Sequence, residues 1–229
     1  MKYDHIVKGK FIERPNRFIA YVNVEGEKEN PQKVHVKNTG RCRELLIPGV
    51  DVYLEKSDNP NRKTKYDLVK VVKGNCLVNM DSQAPNQVVG EWLREKQLYK
   101  DTTLVVSEKT YGNSRFDFYV EGDGKKAWIE VKGVTLERDG AALFPDAPSE
   151  RAVKHVEHLI KAREEGYEAY IILVIQMRYV KYFTPNRETH PQFAEVLEKA
   201  EKAGVQIMAF DRRVTEDEVS INQPVEVRL

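Results

Sequence analysis

Residues 114–136 read SRFDFYVEGDGKKAWIEVKGVTL, and this stretch decides the fold of the second half of the chain. Two runs in which apolar and polar side chains alternate flank an Asp-Gly turn, which is typical of a β-hairpin. With a four-residue loop at 122–125, Asp117 lies directly opposite Glu130, and their Cβ atoms are about 4.5–5.5 Å apart. Lys132 follows Glu130 by two residues and therefore points to the same face of its strand.

Two carboxylates at this distance repel each other, and an isolated charge in a half-buried site is costly. A divalent cation between Asp117 and Glu130 removes the conflict, since Mg²⁺ is commonly held by one or two carboxylates together with water and phosphate oxygens. Lys132 beside it is suited to orient a water or to stabilise the charge that develops on a phosphoryl group. The pattern favours metal-assisted phosphodiester hydrolysis with Mg²⁺ or Mn²⁺. The alternative is a plain ladder of charged side chains on a solvated sheet face.

The segments around the hairpin predict an α/β domain over residues 81–229. Helical patterns occur in NQVVGEWLREKQLYK, in SERAVKHVEHLIKAREEG and in HPQFAEVLEKAEKAG. Strand patterns occur in LVVSEKTYG and VQIMAF, and EAYIILVIQM is a continuous apolar run, typical of a strand buried on both faces. The resulting order, α-β-β-β-α-β-α-β, predicts a central mixed sheet with helices covering it. The polar segment 81–87, DSQAPNQ, is interpreted as the linker to the first half.

Residues 1–80 predict a separate, all-β domain. Five short segments alternate apolar with polar residues between Gly, Pro and Asn turns: GKFIERP, RFIAYVNVEG, KVHVKNTG, VDVYLEKS and YDLVKVVKGN. Five strands in about 75 residues fit a small, partly open barrel of the oligonucleotide/oligosaccharide-binding (OB) type, whose face and loops commonly bind nucleic acid. Another small barrel, such as an SH3-like one, fits the same pattern.

Charge and composition narrow the classes of protein. The net charge is only +1, but residues 1–80 hold 16 Lys and Arg against 10 Asp and Glu, a net of +6, which leaves −5 for the rest. A basic domain joined to an acidic one favours a polyanionic partner. No segment approaches the roughly 20 apolar residues of a membrane span, and the N-terminus lacks the apolar region of a signal peptide. With two cysteines there is no disulfide framework. We therefore expect a cytoplasmic protein.

Basic side chains in predicted loops and on one predicted helix are candidates for binding a phosphate backbone. In the first domain they are Arg14, Arg17, Lys37, Arg41, Arg62 and Lys63, with Phe18, His35, Tyr53 and Tyr66 nearby for stacking on bases. On the helix that begins near Ser149, Arg151 and Lys154 are candidate phosphate ligands and His155 is a candidate general acid. An ordinary solvent-facing helix surface is the alternative for these three. A further acidic ligand is sought among Glu91, Glu95, Glu108 and Asp146, and Gln176 is a candidate contact of a metal-bound water.

Longer motifs add a resemblance to known families. The order Asp117, Glu130, Lys132 within an αβββαβ pattern resembles the PD-(D/E)xK nuclease superfamily. The stretches RFIAYV, HVKNTGRCRELLIPG, NRKTKYDLV, SRFDF, EVKGVTL, FPDAPSERAVKH and VIQM run through nearly the whole chain and resemble the sugar fermentation stimulation protein family, SfsA. This resemblance implies an N-terminal OB-type barrel, a PD-(D/E)xK-like second domain, DNA binding and a link to the regulation of sugar catabolism. It also implies Asp117 and Glu130 as metal ligands and Lys132 as the catalytic lysine.

The main prediction is a DNA-binding protein with a metal-dependent nuclease site in its second domain. A non-catalytic DNA-binding regulator that retains only the nuclease fold is the first alternative. An enzyme that acts on small phosphorylated metabolites is the second, and it would need no extended basic surface. RNA in place of DNA, the preference for single or double strands and the oligomeric state stay open.

Overall fold

The computed structural model describes residues 1–38 and 40–229, which form two domains in contact. The first domain contains β1 (Ile6–Asn16), β2 (Ile19–Val24), β3 (Gln32–Val36), β4 (Asp51–Lys56), β5 (Tyr66–Lys73) and β6 (Cys76–Asn79). β1 pairs with β2 and β4, and β3 pairs with both β2 and β5, so the first five strands close into a barrel. This connectivity confirms the predicted OB-type fold. β6 was not predicted, and it extends β5 as a hairpin.

Alternating apolar residues fill the barrel, as the period of two predicts. β5 departs from this alternation, because it is buried on both sides from Tyr66 to Val71. Its outer side faces the second domain, where the ammonium of the buried Lys70 donates to the carbonyl of Glu216 at 2.7 Å. The amide of Asn79 in β6 donates to the carbonyl of Gln176 at 2.8 Å. Main-chain and side-chain hydrogen bonds thus join the domains.

The second domain is a nine-stranded mixed sheet with three helices. Its elements are α1 (Ala84–Arg94), β7 (Thr102–Tyr111), β8 (Ser114–Gly122), β9 (Lys125–Val134), β10 (Leu136–Arg138), β11 (Ala141–Phe144), α2 (Glu150–Glu164), β12 (Glu168–Ile175), β13 (Tyr182–Pro185), α3 (Pro191–Lys202), β14 (Gln206–Val214) and β15 (Val219–Val227). The strand order is β10-β11-β13-β15-β14-β12-β9-β8-β7. The central β12 runs parallel to β9 and to β14. The predicted αβββαβ order is present, with the short strands β10 and β11 inserted before α2.

The helices cover both faces of this sheet. Successive residues of β12 alternate between two apolar clusters: Ile172 packs in the cluster that contains α1, and Ile171 packs in the cluster that contains α2 and α3. Burial on both faces explains why the strand is a continuous apolar run in the sequence. No helix in the described part of the chain is long and apolar enough to cross a membrane.

The predicted linker at 81–87 is wrong. Asp81 is buried, and α1 begins at Ala84, with a proline in its first turn where a missing N–H is tolerated. The same helix ends at Arg94 rather than near residue 100. β10, β11, β13 and β15 were also not predicted, because three of them have four residues or fewer and the long one, VSINQPVEV, is interrupted by a proline and is buried at one position alone.

The hairpin of β8 and β9 closes as predicted. Gly122 pairs with Lys125, and the two residues between them, Asp123 and Gly124, have φ values of 49° and 71°. Positive φ at both positions defines a two-residue turn of type I′, whose twist matches that of the flanking strands. Gly122 also allows close packing, since a Cβ built there lies 2.8 Å from Tyr99 Cβ.

Two glycine substitutions in this turn separate steric crowding from backbone strain. We expect Gly122→Ala to lower the free energy of unfolding by about 1–3 kcal/mol, because the added methyl group meets packed atoms. Gly124→Ala meets no atom within 4 Å and carries only the strain of its positive φ, about 1 kcal/mol. Urea denaturation of both variants measures the difference. An equal loss of stability in the two would contradict the packing argument.

Candidate active site

Asp117 lies where β8 and β9 separate. The last pair of the ladder is Phe118 with Ile129, and continuing its register places Asp117 opposite Glu130. At this position the Asp117 side chain replaces a main-chain acceptor, because its Oδ2 accepts the amide hydrogen of Val131 at 2.7 Å. Its Oδ1 accepts from Asn86 Nδ2 of α1, also at 2.7 Å. Two uncharged donors therefore fix the carboxylate in the gap between the strands.

Glu130 occupies the neighbouring position and is 2% exposed. Its Oε1 accepts hydrogen bonds from Lys132 Nζ and from His155 Nδ1, each at 2.5 Å. Its Oε2 is buried and has no hydrogen-bond partner among the described residues. A buried carboxylate oxygen without a partner is costly unless another ligand satisfies it. One oxygen of Glu130 is thus held by the protein, and the other is left to accept.

The two carboxylates differ in their protonation equilibria. Burial, followed by the negative charge of Glu130, raises the pKa of Asp117 above its usual range. Burial also acts to raise the pKa of Glu130, but the hydrogen bond from His155 and the charge of Lys132 outweigh it and hold that pKa below its usual range. Protein groups therefore outweigh the cost of burying the charge of Glu130, whereas at Asp117 the charge of Lys132 and the bonds from Val131 and Asn86 leave part of the negative charge uncompensated.

This uncompensated charge and the free oxygen of Glu130 fit a divalent cation. Among the residues that the structure describes, no group of three or more His, Cys, Asp and Glu side chains is placed to hold a metal. The protein ligands would be Asp117 and Glu130 alone, with water or substrate oxygens at the other positions. Such a set suits Mg²⁺, which usually keeps several waters and is bound by one or two carboxylates.

His155 lies on the buried face of α2. Ser149 caps this helix by accepting from the amide of Ala152 at 3.3 Å, and His155 points to the sheet together with the apolar residues of the helix. Sequence analysis grouped it with Arg151 and Lys154 on one face of the helix, but the structure separates it from them, because this histidine occupies a buried position of the apolar stripe. Arg151 Nε donates to its Nε2 at 3.5 Å, which leaves Nδ1 to donate to Glu130. His155 is thereby placed to orient Glu130.

Arg151 and Lys154 are exposed on the same helix. With Arg115 of β8 and His155 they line a surface cavity of about 810 Å³, which also includes Glu150 and Glu157. The cavity is linked to Glu130 through His155, whose Nδ1 donates to that carboxylate. The role of Arg151 and Lys154 as phosphate ligands stays a prediction.

Three of the six basic candidates in the barrel are held by intramolecular partners. The guanidinium of Arg14 donates to four main-chain carbonyls, those of Arg17, Asn38, Gly40 and Arg41. Lys37 Nζ lies 3.2 Å from Glu55, 3.8 Å from Asp67 and 3.4 Å from Asp81. Arg62 forms two hydrogen bonds with Asp67, at 2.7 and 2.5 Å. Their positive charges are largely neutralised or used to hold loops.

The other three basic candidates, Arg17, Arg41 and Lys63, are exposed. Arg17 and Arg41 line a groove of about 470 Å³ together with Arg43, which sequence analysis did not single out. Arg43 follows Arg41 by two residues in the segment RCRELL, and that spacing was the available signal.

The candidates for a further acidic ligand have other surroundings. Glu91 accepts from the ammonium of Met1 at 2.7 Å, and Glu95 is the exposed C-cap residue that follows α1. Glu108 lies 3.5 Å from Arg115 Nη2. Asp146 lines a separate cavity. Glu91 and Glu108 share a cavity of about 370 Å³ with Asp117. Gln176 is buried, accepts from Arg212 and donates to the carbonyl of Asp81, so its amide has protein partners. Asn86, which sequence analysis missed, carried no signal beyond being one polar residue in a helix.

The raised pKa of Asp117 predicts a change in how stability depends on pH. The native state keeps this proton to higher pH than the unfolded chain, so the carboxyl contributes stability at low pH that is lost as pH rises from about 4 through its raised pKa. We expect Asp117→Asn to remove this loss. Relative to the native protein without divalent metal, the variant should gain in free energy of unfolding between pH 4 and pH 7, whatever constant offset follows from the altered bond to Asn86. Urea denaturation at both pH values measures this, and a pH-independent difference would contradict it.

Comparison with known proteins agrees with this architecture. A family model described as the SfsA N-terminal OB domain matches residues 12–80, and one described as the sugar fermentation stimulation protein RE domain matches residues 83–218. Sugar fermentation stimulation protein homologs of Clostridium beijerinckii and Ruminiclostridium cellulolyticum are 56% and 55% identical over 229 residues, with 100% of both chains covered in each case. The structure of Pyrococcus furiosus SfsA in complex with Ca²⁺ matches with a TM-score of 0.89 at 26% identity, covering 100% of this chain and 98% of that one. The chain belongs to the sugar fermentation stimulation protein family, SfsA.

Proposed function

We propose that this protein is a divalent-metal-dependent nuclease that hydrolyses DNA phosphodiester bonds. The observation that carries the proposal is the arrangement of Glu130: one oxygen accepts from both His155 and Lys132, and the other is buried and has no partner within residues 1–38 and 40–229. A carboxylate used only for structure has no need of an unsatisfied oxygen in the protein interior.

Mg²⁺ or Mn²⁺ is the proposed cofactor, held by Asp117 and Glu130. When bound, it would polarise the phosphodiester and lower the pKa of a coordinated water. The related Pyrococcus furiosus protein, which is in complex with Ca²⁺, supports a divalent cation here. Ca²⁺ and Mg²⁺ both take oxygen ligands, but Mg²⁺ demands tighter octahedral geometry.

Lys132 is the proposed catalytic lysine. Its side chain is 16% exposed, and its ammonium donates to Glu130 Oε1. From this position it orients the attacking water and stabilises the negative charge that develops on the phosphoryl oxygens. His155 donates to Glu130 Oε1 and fixes the orientation of this carboxylate. General-acid catalysis by His155 is the alternative role.

The DNA backbone would contact two basic surfaces. Arg151 and Lys154 line a cavity together with His155, which donates to Glu130, and they are suited to bind phosphates of the DNA backbone. In the barrel, the groove of Arg17, Arg41 and Arg43 is suited to contact phosphates further away, with Lys63 on the loop between β4 and β5. RNA offers the same phosphates and remains a second polyanion for these surfaces.

Replacing Lys132 tests catalysis directly. We expect Lys132→Ala to reduce Mn²⁺- or Mg²⁺-dependent cleavage of labelled DNA by about 100-fold or more, because a charge-stabilising donor is lost. DNA binding should persist. Lys126→Ala, an exposed lysine of the same strand, is the matched control and should cleave normally. Full cleavage by Lys132→Ala would remove this residue from the mechanism.

The same assay distinguishes the alternatives. Specific DNA binding without cleavage under any divalent metal would favour a non-catalytic regulator of sugar fermentation, in keeping with the names of the curated relatives. A salt titration addresses the third possibility, because several neutralised phosphates give a steep linear fall of log affinity with log salt concentration. A shallow dependence would favour a small phosphorylated substrate.

His155 is tested by metal affinity in the absence of DNA. We expect His155→Ala to weaken Mn²⁺ binding about 10- to 100-fold, since residues that orient a metal ligand typically have effects of this size. The measurement is the Mn²⁺ concentration needed to raise the melting temperature. His158→Ala on the next turn of α2, where the native side chain bonds Ser114 instead, should bind Mn²⁺ normally. Unchanged affinity in His155→Ala would exclude the orienting role.

A further inference from the structure

An open cavity of about 580 Å³ lies on the barrel, and neither Asp117 nor Glu130 is among its lining residues. It is bounded by Phe18 in the β1–β2 loop and by Ser57, Asp58 and Arg62 in the segment between β4 and β5, with β3 beneath it. We call it the barrel cavity. Its volume is within the range of small-molecule sites.

Phe18 forms one wall of the barrel cavity and is 47% exposed. Its backbone is fixed on both sides, because its amide donates to Asn16 Oδ1 at 2.9 Å and its carbonyl accepts from the amide of Val36 at 2.8 Å. The guanidinium of Arg17 lies 5.1 Å from the ring centroid. The ring is therefore presented to solvent on a firmly held backbone, which suits stacking with a planar group.

The floor of the cavity is a network of buried charges. Asp67, 3% exposed, accepts two hydrogen bonds from Arg62 and bonds His35 Nδ1 at 2.9 Å. Lys37 lies between Glu55 and Asp81. These partners fix the floor before any ligand arrives, which reduces the ordering cost of binding.

The charge of the lining excludes a phosphate as the preferred occupant. Four carboxylates face three basic side chains: Asp4, Glu55, Asp58 and Asp67 against Lys37, Lys56 and Arg62. A phosphate would meet net negative charge here. A neutral, planar group with hydrogen-bonding edges would instead stack on Phe18 and reach His35 and Glu55, whose side chains are 36% and 23% exposed. A nucleobase has this chemistry.

The barrel cavity reaches the segment that leads into α1. Ser82 and Gln83 line it and directly precede α1, whose Asn86 donates to Asp117. Ser82 further lines a second cavity with Gly133, the residue after Lys132. The barrel cavity and the candidate active site are therefore connected through the backbone of this segment.

We infer that the barrel cavity binds one unpaired nucleobase stacked on Phe18, so that the substrate is single-stranded or locally unpaired nucleic acid. A base within a duplex stacks on its neighbours and uses its edge for pairing, so it presents neither a free face nor a free edge to this cavity. The inference rests on the proposed function, which names nucleic acid as the partner. It adds that the bound nucleotide is unpaired.

The test uses a single-stranded DNA oligonucleotide that contains one 2-aminopurine, whose fluorescence changes when the base stacks. Chelator is present, so binding is measured without cleavage. We expect the native protein to change the fluorescence and to bind the single strand more tightly than a duplex of equal length. Phe18→Ala should lose the fluorescence change and weaken single-strand binding about 5- to 150-fold, and Phe18→Tyr should retain both. Ile47→Ala removes an exposed apolar residue of the same domain outside the cavity and should behave as the native protein.

Two results would overturn the inference. One is an unchanged single-strand affinity in Phe18→Ala. The other is an equal loss of affinity for single strand and duplex, which would mean that Phe18 contacts the sugar-phosphate backbone or supports the fold. A melting curve of Phe18→Ala confirms that the variant is folded. The outcome is separable from the nuclease proposal. Single-strand binding that depends on Phe18 but is never followed by cleavage would reject hydrolysis alone, and cleavage that is indifferent to Phe18 would reject the base site alone.

Discussion

The separation of two adjacent strands at Asp117 is the constraint on which the site depends. Where β8 and β9 are paired, their main-chain N–H and C=O groups form hydrogen bonds with one another. Where the ladder ends, the Asp117 side chain accepts the amide hydrogen of Val131, and Glu130 is held by His155 on the neighbouring helix. The two carboxylates are thereby fixed by the sheet itself rather than by a mobile loop, which is the kind of support that a site with demanding geometry needs.

The charged side chains of the two domains are neutralised to different extents. In the barrel, Lys37 and Arg62 neutralise buried carboxylates and Arg14 donates to loop carbonyls, so much of the basic excess of the first 80 residues has internal partners. In the second domain, Glu130 accepts from Lys132 and His155, whereas Asp117 accepts only from neutral donors. The less compensated carboxylate, Asp117, is a ligand of the proposed cation site. A charge total over a domain conceals both facts.

Much of this architecture could be predicted because local rules and tertiary packing agree. The Asp-Gly turn fixed the hairpin register, and with it the facing of Asp117 and Glu130, and the uninterrupted apolar run of β12 identified the centre of the sheet. The face of His155 was missed, because helical periodicity cannot tell a histidine in an apolar stripe from one on a basic surface. The partners of Lys37 and Arg62 were missed as well. Lys37 follows β3 and meets Asp67 of β5 only after the barrel closes, whereas Arg62 pairs with Asp67 five residues along the chain through the conformation of the loop before β5.

The contacts between the two domains determine more than stability. Lys70 and Asn79 reach across the boundary to main-chain carbonyls, and the buried Arg212 of β14 lies 3.5 Å from Asn79 Oδ1 of β6, so barrel and sheet are joined at several points. These contacts set the separation between a nucleotide held by the barrel and the carboxylates of Asp117 and Glu130. Under the proposed function, fragments released from a long nucleic acid would share a characteristic offset between the held nucleotide and the new end, set by protein geometry rather than by base sequence.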